Sequence, residues 1–221
     1  MNLKKTFFII LSVIASMVFL DIGVHAILHN NDIVPAFDDP DGQKKQEIES
    51  HVISGASLFL QAQSYANLLL YEYELSCKQP YNCVRSLQYL ETTINLLENA
   101  RDQYVSASGI GESVGYSAVK IARLKTFDYD AFIIENRLNK EIAKEVQGYL
   151  SSGDIVGIYQ QSANDISAIL NTLYSIKESL KVDEKPSINL FWKLLQQFSE
   201  SSLFGNYATL MGTTVLGVSV D

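Results

Sequence analysis

Apolar residues return every three or four positions along most of this chain, and the few places where the rhythm stops divide it into helices. From Lys44 onward Ile48, Val52, Ala56, Phe59, Ala66, Leu69 and Tyr73 keep to one face, with Gln63 a polar exception. Leu58, Tyr65 and Leu68 widen that stripe, so more than one side of the helix is covered. Pro80 forbids continuation, and Asn82 suits the N-cap of a return helix whose face reads Val84, Leu87, Leu90, Ile94, Leu97 and Tyr104. Arg101 falls on that face as the outlier and belongs at its rim.

Ala107–Gly115 interrupts the period and reads as a loop, and Tyr116–Lys125 as a short amphipathic helix crossing one end of the molecule. Asp128 then caps a third long helix, about Tyr129 to Leu150, with Ile134, Leu138, Ile142, Val146 and Tyr149 as its stripe. Its charged residues Arg137, Glu141 and Lys144 read as a solvated face. Ser151-Ser152-Gly153-Asp154 ends that helix and starts the most regular one. There Ile155, Tyr159, Ser162, Ile166, Ile169, Leu173, Ile176 and Leu180 step by four and three. Such a seam favours near-antiparallel packing. Ser187 caps a fifth helix bearing Ile188, Phe191, Trp192, Leu195 and Phe198. From Ser201 to Val220 no charge occurs, and this run reads as a further helix packed on the others, as a partner or self-association surface, or as a membrane-inserting tail.

The expected fold is therefore all-α: a four-helix up-and-down bundle of long helices with an additional C-terminal helical pair at 187–220. With 4 Pro and 12 Gly in 221 residues, the chain lacks the turn signals a sandwich of short strands requires.

The beginning of the chain sets the expected compartment. Lys4 and Lys5 precede an apolar run from Thr6 to Leu20, and Val24-His25-Ala26 places small residues at the −3 and −1 positions of a cleavage site. Residues 1–26 read as a signal peptide, with an uncleaved membrane anchor as the alternative. Residues 27–43 read as a polar, Pro-interrupted linker ahead of a helical domain over 44–221. The expected location is periplasmic or extracellular. Cys77 and Cys83, the only cysteines, then read as a disulfide that clips the tip of the first helical hairpin.

Charge and residue counts narrow the chemistry. The net charge is −8, and losing Lys4, Lys5 and Asp21 with the leader takes it to about −9, which repels nucleic-acid phosphates. His29, His51 and Met211 are all the His and Met that remain beyond residue 26, too few for a di-iron, c-haem or copper site. Glu47 and His51, four apart on the first helix, read as an ordinary helix contact. Asp38, Asp39 and Asp41 miss the calcium-loop spacing, and Gly109, Gly111 and Gly115 miss both phosphate-loop spacings. No catalytic, cofactor-binding or metal-ligating residue is assigned.

Two candidate surfaces remain. Tyr65, Tyr73, Tyr104, Tyr149 and Tyr159 lie on or beside apolar stripes. They either pack as core or line a pocket for a small apolar ligand. Phe191, Trp192, Leu203, Phe204 and Tyr207 mark a candidate interaction surface for a protein partner or a second copy. The expected function is a non-catalytic interaction or small-ligand-binding module of a bacterial-type cell envelope. The alternatives are a sensor-like domain anchored by an uncleaved leader, or an enzyme with an unrecognised carboxylate/Tyr site. Reducing the Cys77–Cys83 clip should remove roughly 2–2.5 kcal/mol of stability. The expected result is a lower Tm with the fold kept at room temperature; free thiols in protein from an oxidising compartment would contradict the pairing.

Overall fold

The computed structural model describes residues 40–76, 84–111, 118–181 and 186–216. Among the described residues there are seven helices and no strand: α1 (Pro40–Ser76), α2 (Val84–Gly111), α3 (Ala118–Thr126), α4 (Tyr129–Glu135), α5 (Lys140–Ser152), α6 (Ile155–Lys181) and α7 (Ile188–Leu216). The all-α expectation holds. The expected leader, the expected linker up to residue 39 and the two cysteines lie outside the described residues.

Four of these helices are long, and side-chain contacts join them in pairs. Between α1 and α2, Arg85 pairs with Glu72 at 3.8 Å near one end, while Nδ1 of His51 lies 2.7 Å from Oε1 of Gln103 near the other. Between α2 and α6, Lys177 meets Glu91 at 3.3 Å, and the Tyr174 hydroxyl donates to Glu98 at 2.5 Å. At the far end of that seam a Cβ on Gly111 would come within 2.8 Å of Val156 Cγ2, so the close approach of α2 to α6 there depends on glycine. Between α6 and α7, Thr172 donates to Gln197 Oε1 at 2.8 Å, and Gln197 Nε2 donates to the Ala168 carbonyl. Aromatic rings bridge α1 and α7: Phe59 to Phe198 at 5.4 Å and Tyr73 stacked on Phe191 at 4.4 Å.

These side chains enclose the first of two cores, in which Leu69, Leu97, Leu173, Ile176 and Phe198 are fully buried. The second is smaller and contains Leu124, Ile133, Val146, Leu150, Ile155, Phe204 and Met211 from α3, α4, α5, the start of α6 and the C-terminal half of α7. Tyr129 fixes its corner. Its hydroxyl donates to the Leu124 carbonyl at 2.8 Å, and burial pushes the phenol up to about 12.

Three expectations are corrected. The long helix over 129–150 is two helices, because α4 ends in a six-residue closure: Leu138 N–H donates to the Ile133 carbonyl and Arg137 N–H to that of Ile134. Arg137 supplies the left-handed residue this closure needs, at φ 52°. Asn139 then starts α5, its side chain accepting from the backbone N–H groups of Glu141 and Ile142. With the break in place Lys144 pairs with Asp130 of α4, and Ile134, expected on a buried stripe, is 75% exposed. The expected loop after Ala107 begins later, since α2 continues to Gly111.

The third correction concerns the C-terminus. The expected helical pair is one continuous helix, α7, of 29 residues. Phe191, Leu194 and Phe198 bury themselves in the first core, and Phe204, Ala208, Met211 and Val215 in the second. The step from Phe198 to Phe204 is six residues. Averaged over Phe191, Leu194 and Phe198 against Phe204, Ala208, Met211 and Val215, the buried face turns by about 100°, a little over a quarter of a turn. Two different cores thus share one continuous helix. No helix among the described residues is long and apolar enough to cross a membrane.

Helix closures offer a direct check on these breaks. Gly153, at φ 80°, ends α5 by the same pattern, with Asp154 N–H donating to the Tyr149 carbonyl. Gly153→Ala should cost about 1 kcal/mol, because an L side chain is strained there, whereas Arg137→Gly should be neutral or stabilise by up to about 1 kcal/mol. Thermal unfolding of the two variants checks both signs. Equal losses would mean that Arg137 is held there by something other than its backbone.

Candidate functional site

Where α7 changes cores, neither core fills the space beside it. Ser199-Glu200-Ser201-Ser202 lies at the changeover, and small polar residues cannot bridge from one cluster to the other. The result is a cleft of about 620 Å³ between α5, α6 and α7.

Its chemistry is dominated by carboxylates. Glu141 and Glu145 line it from α5, Asp165 from α6 and Glu200 from α7, and no Lys, Arg or His is among its lining residues. Asn139, Gln196 and Gln197 supply amides, and Ile142, Ala168, Leu203 and Phe204 the apolar part of the wall. Gln197 is held by its bonds to Thr172 and Ala168, and Gln196 Nε2 donates to Glu200 Oε1 at 2.7 Å. One corner is tied by Tyr207, whose hydroxyl accepts the Asn139 backbone N–H at 2.9 Å.

Asp165 differs from the other three acids. Gln161 Nε2 donates to its Oδ1 at 2.8 Å, and Gln161 Oε1 accepts from the Tyr149 hydroxyl at 3.3 Å, a chain that links α5 to α6. Desolvation raises the Asp165 carboxyl to about 6; Glu145 and Glu200 add to the shift, while the bond from Gln161 opposes it. The cleft thus presents negative charge to solvent, and its most desolvated carboxyl holds a proton more tightly than an ordinary carboxylate.

The tyrosines expected around a ligand pocket do not converge. Tyr73 is buried against Phe191 and donates to the Pro186 carbonyl at 2.6 Å; Tyr104 is buried with its ring against Gly55; Tyr159 is buried in the first core; Tyr65 lies near Tyr89. None of the five lines the cleft, and only Tyr149 reaches it, through Gln161. The aromatic surface expected on 188–220 also divides. Phe191 and Phe204 are buried at 1% and 2% because they are the core contacts of α7, whereas Trp192 is 52% exposed. Leu203 lines the cleft, and Tyr207 is half-buried over the second core. His51 is engaged by Gln103 rather than paired with Glu47, and no group of three metal-ligating side chains occurs among the described residues.

The four carboxylates were missed as a set because they sit on three separate solvated stretches of sequence. One signal pointed to them: the interruption of the last apolar stripe by Ser199-Glu200-Ser201-Ser202. Fold and site together define an all-α protein with an acidic cleft between helices. No family model, curated protein or solved structure matches the chain.

The sign of the Asp165 linkage is fixed by its upward shift. A carboxyl whose folded value lies above its ordinary 3.8 contributes stability below that value and loses it as pH rises through about 6. Stability should therefore fall between pH 4 and pH 7 by on the order of 1 kcal/mol once the solvent reaching the group is allowed for. Asp165→Asn, which retains an acceptor for Gln161, should flatten this part of the pH–Tm curve. An unchanged slope in that variant would contradict the assignment.

Proposed function

We propose that this protein is an exported, non-catalytic interaction module of the cell envelope, and that the cleft between α5, α6 and α7 is where it receives its ligand. On this reading the leader is removed after Ala26 and the cysteines clip the α1–α2 hairpin. The four long helices form an up-and-down bundle in which α7 takes the place expected of the 129–150 segment. The small second core braces the far half of α7 and holds α5 over the cleft.

The observation that carries the reading is the cleft itself. Four carboxylates from three helices share one opening with no basic group in its lining. Concave sites with a few placed polar groups are where ligands are commonly held. The weakness of nucleophile–base chemistry supports a binding role over a catalytic one: beyond residue 26 the chain has two His, His29 in the linker and His51 engaged by Gln103.

A photo-crosslinking amino acid placed at Leu203, inside the cleft, and at Val105, exposed on α2, tests the proposal in cells expressing the full chain. The expected outcome is an envelope-fraction protein beginning at Ile27 that forms a defined adduct from Leu203 and none from Val105. Recovery in the cytoplasm, or no adduct from Leu203, would contradict it.

A further inference from the structure

The outer side of α7 carries a pattern separate from its two buried faces. Trp192, Gln196, Ser199, Leu203, Asn206 and Leu210 follow one another at steps of four and three, so they share one face over about 27 Å. None of the six is charged. Trp192 is 52% exposed and Leu210 40%, Gln196 and Ser199 are exposed, and Leu203 and Asn206 are half-buried. Gln196, Ser199 and Leu203 also line the cleft, so the uncharged stripe and the acidic opening meet along a common edge.

That combination discriminates among occupants. A small free cation satisfies the carboxylates and leaves Trp192 in water. A small apolar ligand covers Leu203 and strips water from four acids without compensation. A second copy of this chain brings its own Glu141, Glu145, Asp165 and Glu200 to the same place, on a molecule already at −8. What matches both halves is a segment with apolar residues at helical spacing along one face and positive charges along the adjoining edge.

We infer that the outer face of α7, together with the acidic lip of the cleft, is a docking groove for a basic amphipathic helix of a partner protein. This rests on the reading of the protein as an interaction module and names the chemistry of its partner. The apolar face of the incoming helix covers Trp192, Leu203 and Leu210, and its Lys or Arg edge lies over Glu141, Glu145 and Glu200. Trp192 is the anchoring contact, since a large aromatic ring leaving water contributes most in such a seam. The carboxylate lip selects against acidic or neutral helices and makes the association sensitive to salt. The stripe length matches a helix of about 18 residues.

Trp192 is the sole tryptophan, so its emission reports the contact directly. The probe is a Leu/Lys peptide of about 18 residues with Leu at i, i+4 and i+7 positions. It is compared with a scrambled peptide of the same composition and with the same pattern carrying Glu for Lys. Expected are a blue shift of Trp192 with the amphipathic basic peptide alone and affinity in the micromolar range. E141Q/E145Q/E200Q should weaken binding by at least about tenfold. These three acids are exposed, and circular dichroism confirms that the variant keeps its helices. Trp192→Ala, followed by anisotropy of a labelled peptide, should weaken binding to a similar extent. Equal binding of the scrambled peptide, full affinity in the triple variant, or no binding of any peptide overturns the assignment. If a partner crosslinks at Leu203 in cells while the basic peptide fails, the interaction module stands and the chemistry of its partner is wrong.

Discussion

The structure depends on the burial of a single helix in two places at once. α7 offers Phe191, Leu194 and Phe198 to the first core and Phe204, Ala208, Met211 and Val215 to the second. Full burial of one such side chain contributes roughly 1.5–3 kcal/mol, so both halves are strongly held, and each fixes the rotation of α7 about its axis. The two demands differ by about 100° and are met within one continuous helix, across a six-residue step. Because an α-helix is stiff, the two cores cannot move independently of it.

The cleft follows from that geometry. Between Phe198 and Phe204 the buried side of α7 faces neither cluster squarely, and the residues there are Ser, Glu, Ser and Ser. Ser202 is 6% exposed with its Oγ unmatched, a small local cost left by the changeover. The space beside it admits solvent, α5 is held alongside by Tyr207 and the Lys144–Asp130 pair, and the acids of α5, α6 and α7 face one another across it. A site made this way costs little packing, since it occupies volume that neither core could use. It also keeps Asp165 partly desolvated beside Glu145 and Glu200, and that environment is what raises its proton affinity.

Much of the fold was legible in the sequence, and the failures share one cause. Periodicity located α1, α2, α6 and both halves of α7, because long apolar stripes survive any particular packing. It misplaced the break at Asn136–Asn139, because Ile134, Leu138 and Ile142 keep the helical spacing across it. The signals were Asn136 and Asn139, at home at helix ends, and Arg137 carried none, since the left-handed position usually betrays itself as Gly. It split α7 because a slipped stripe resembles two helices. The site was hidden for a deeper reason. Glu141, Glu145, Asp165 and Glu200 are ordinary surface acids in any local window, and only the tertiary arrangement of three helices makes them neighbours. The tyrosines drew attention because they are abundant, yet Tyr73, Tyr104 and Tyr159 fill core.

The central claim is that α7 is one helix serving two cores. Amide hydrogen exchange across residues 191–215 tests it most directly. The account predicts that amides through Ser199–Asn206 are protected and exchange together with those of the flanking core segments, as one cooperative unit. A patch of rapid exchange over Ser199–Asn206, with 191–198 and 208–215 opening separately, would mean two helices joined at the changeover and would contradict it.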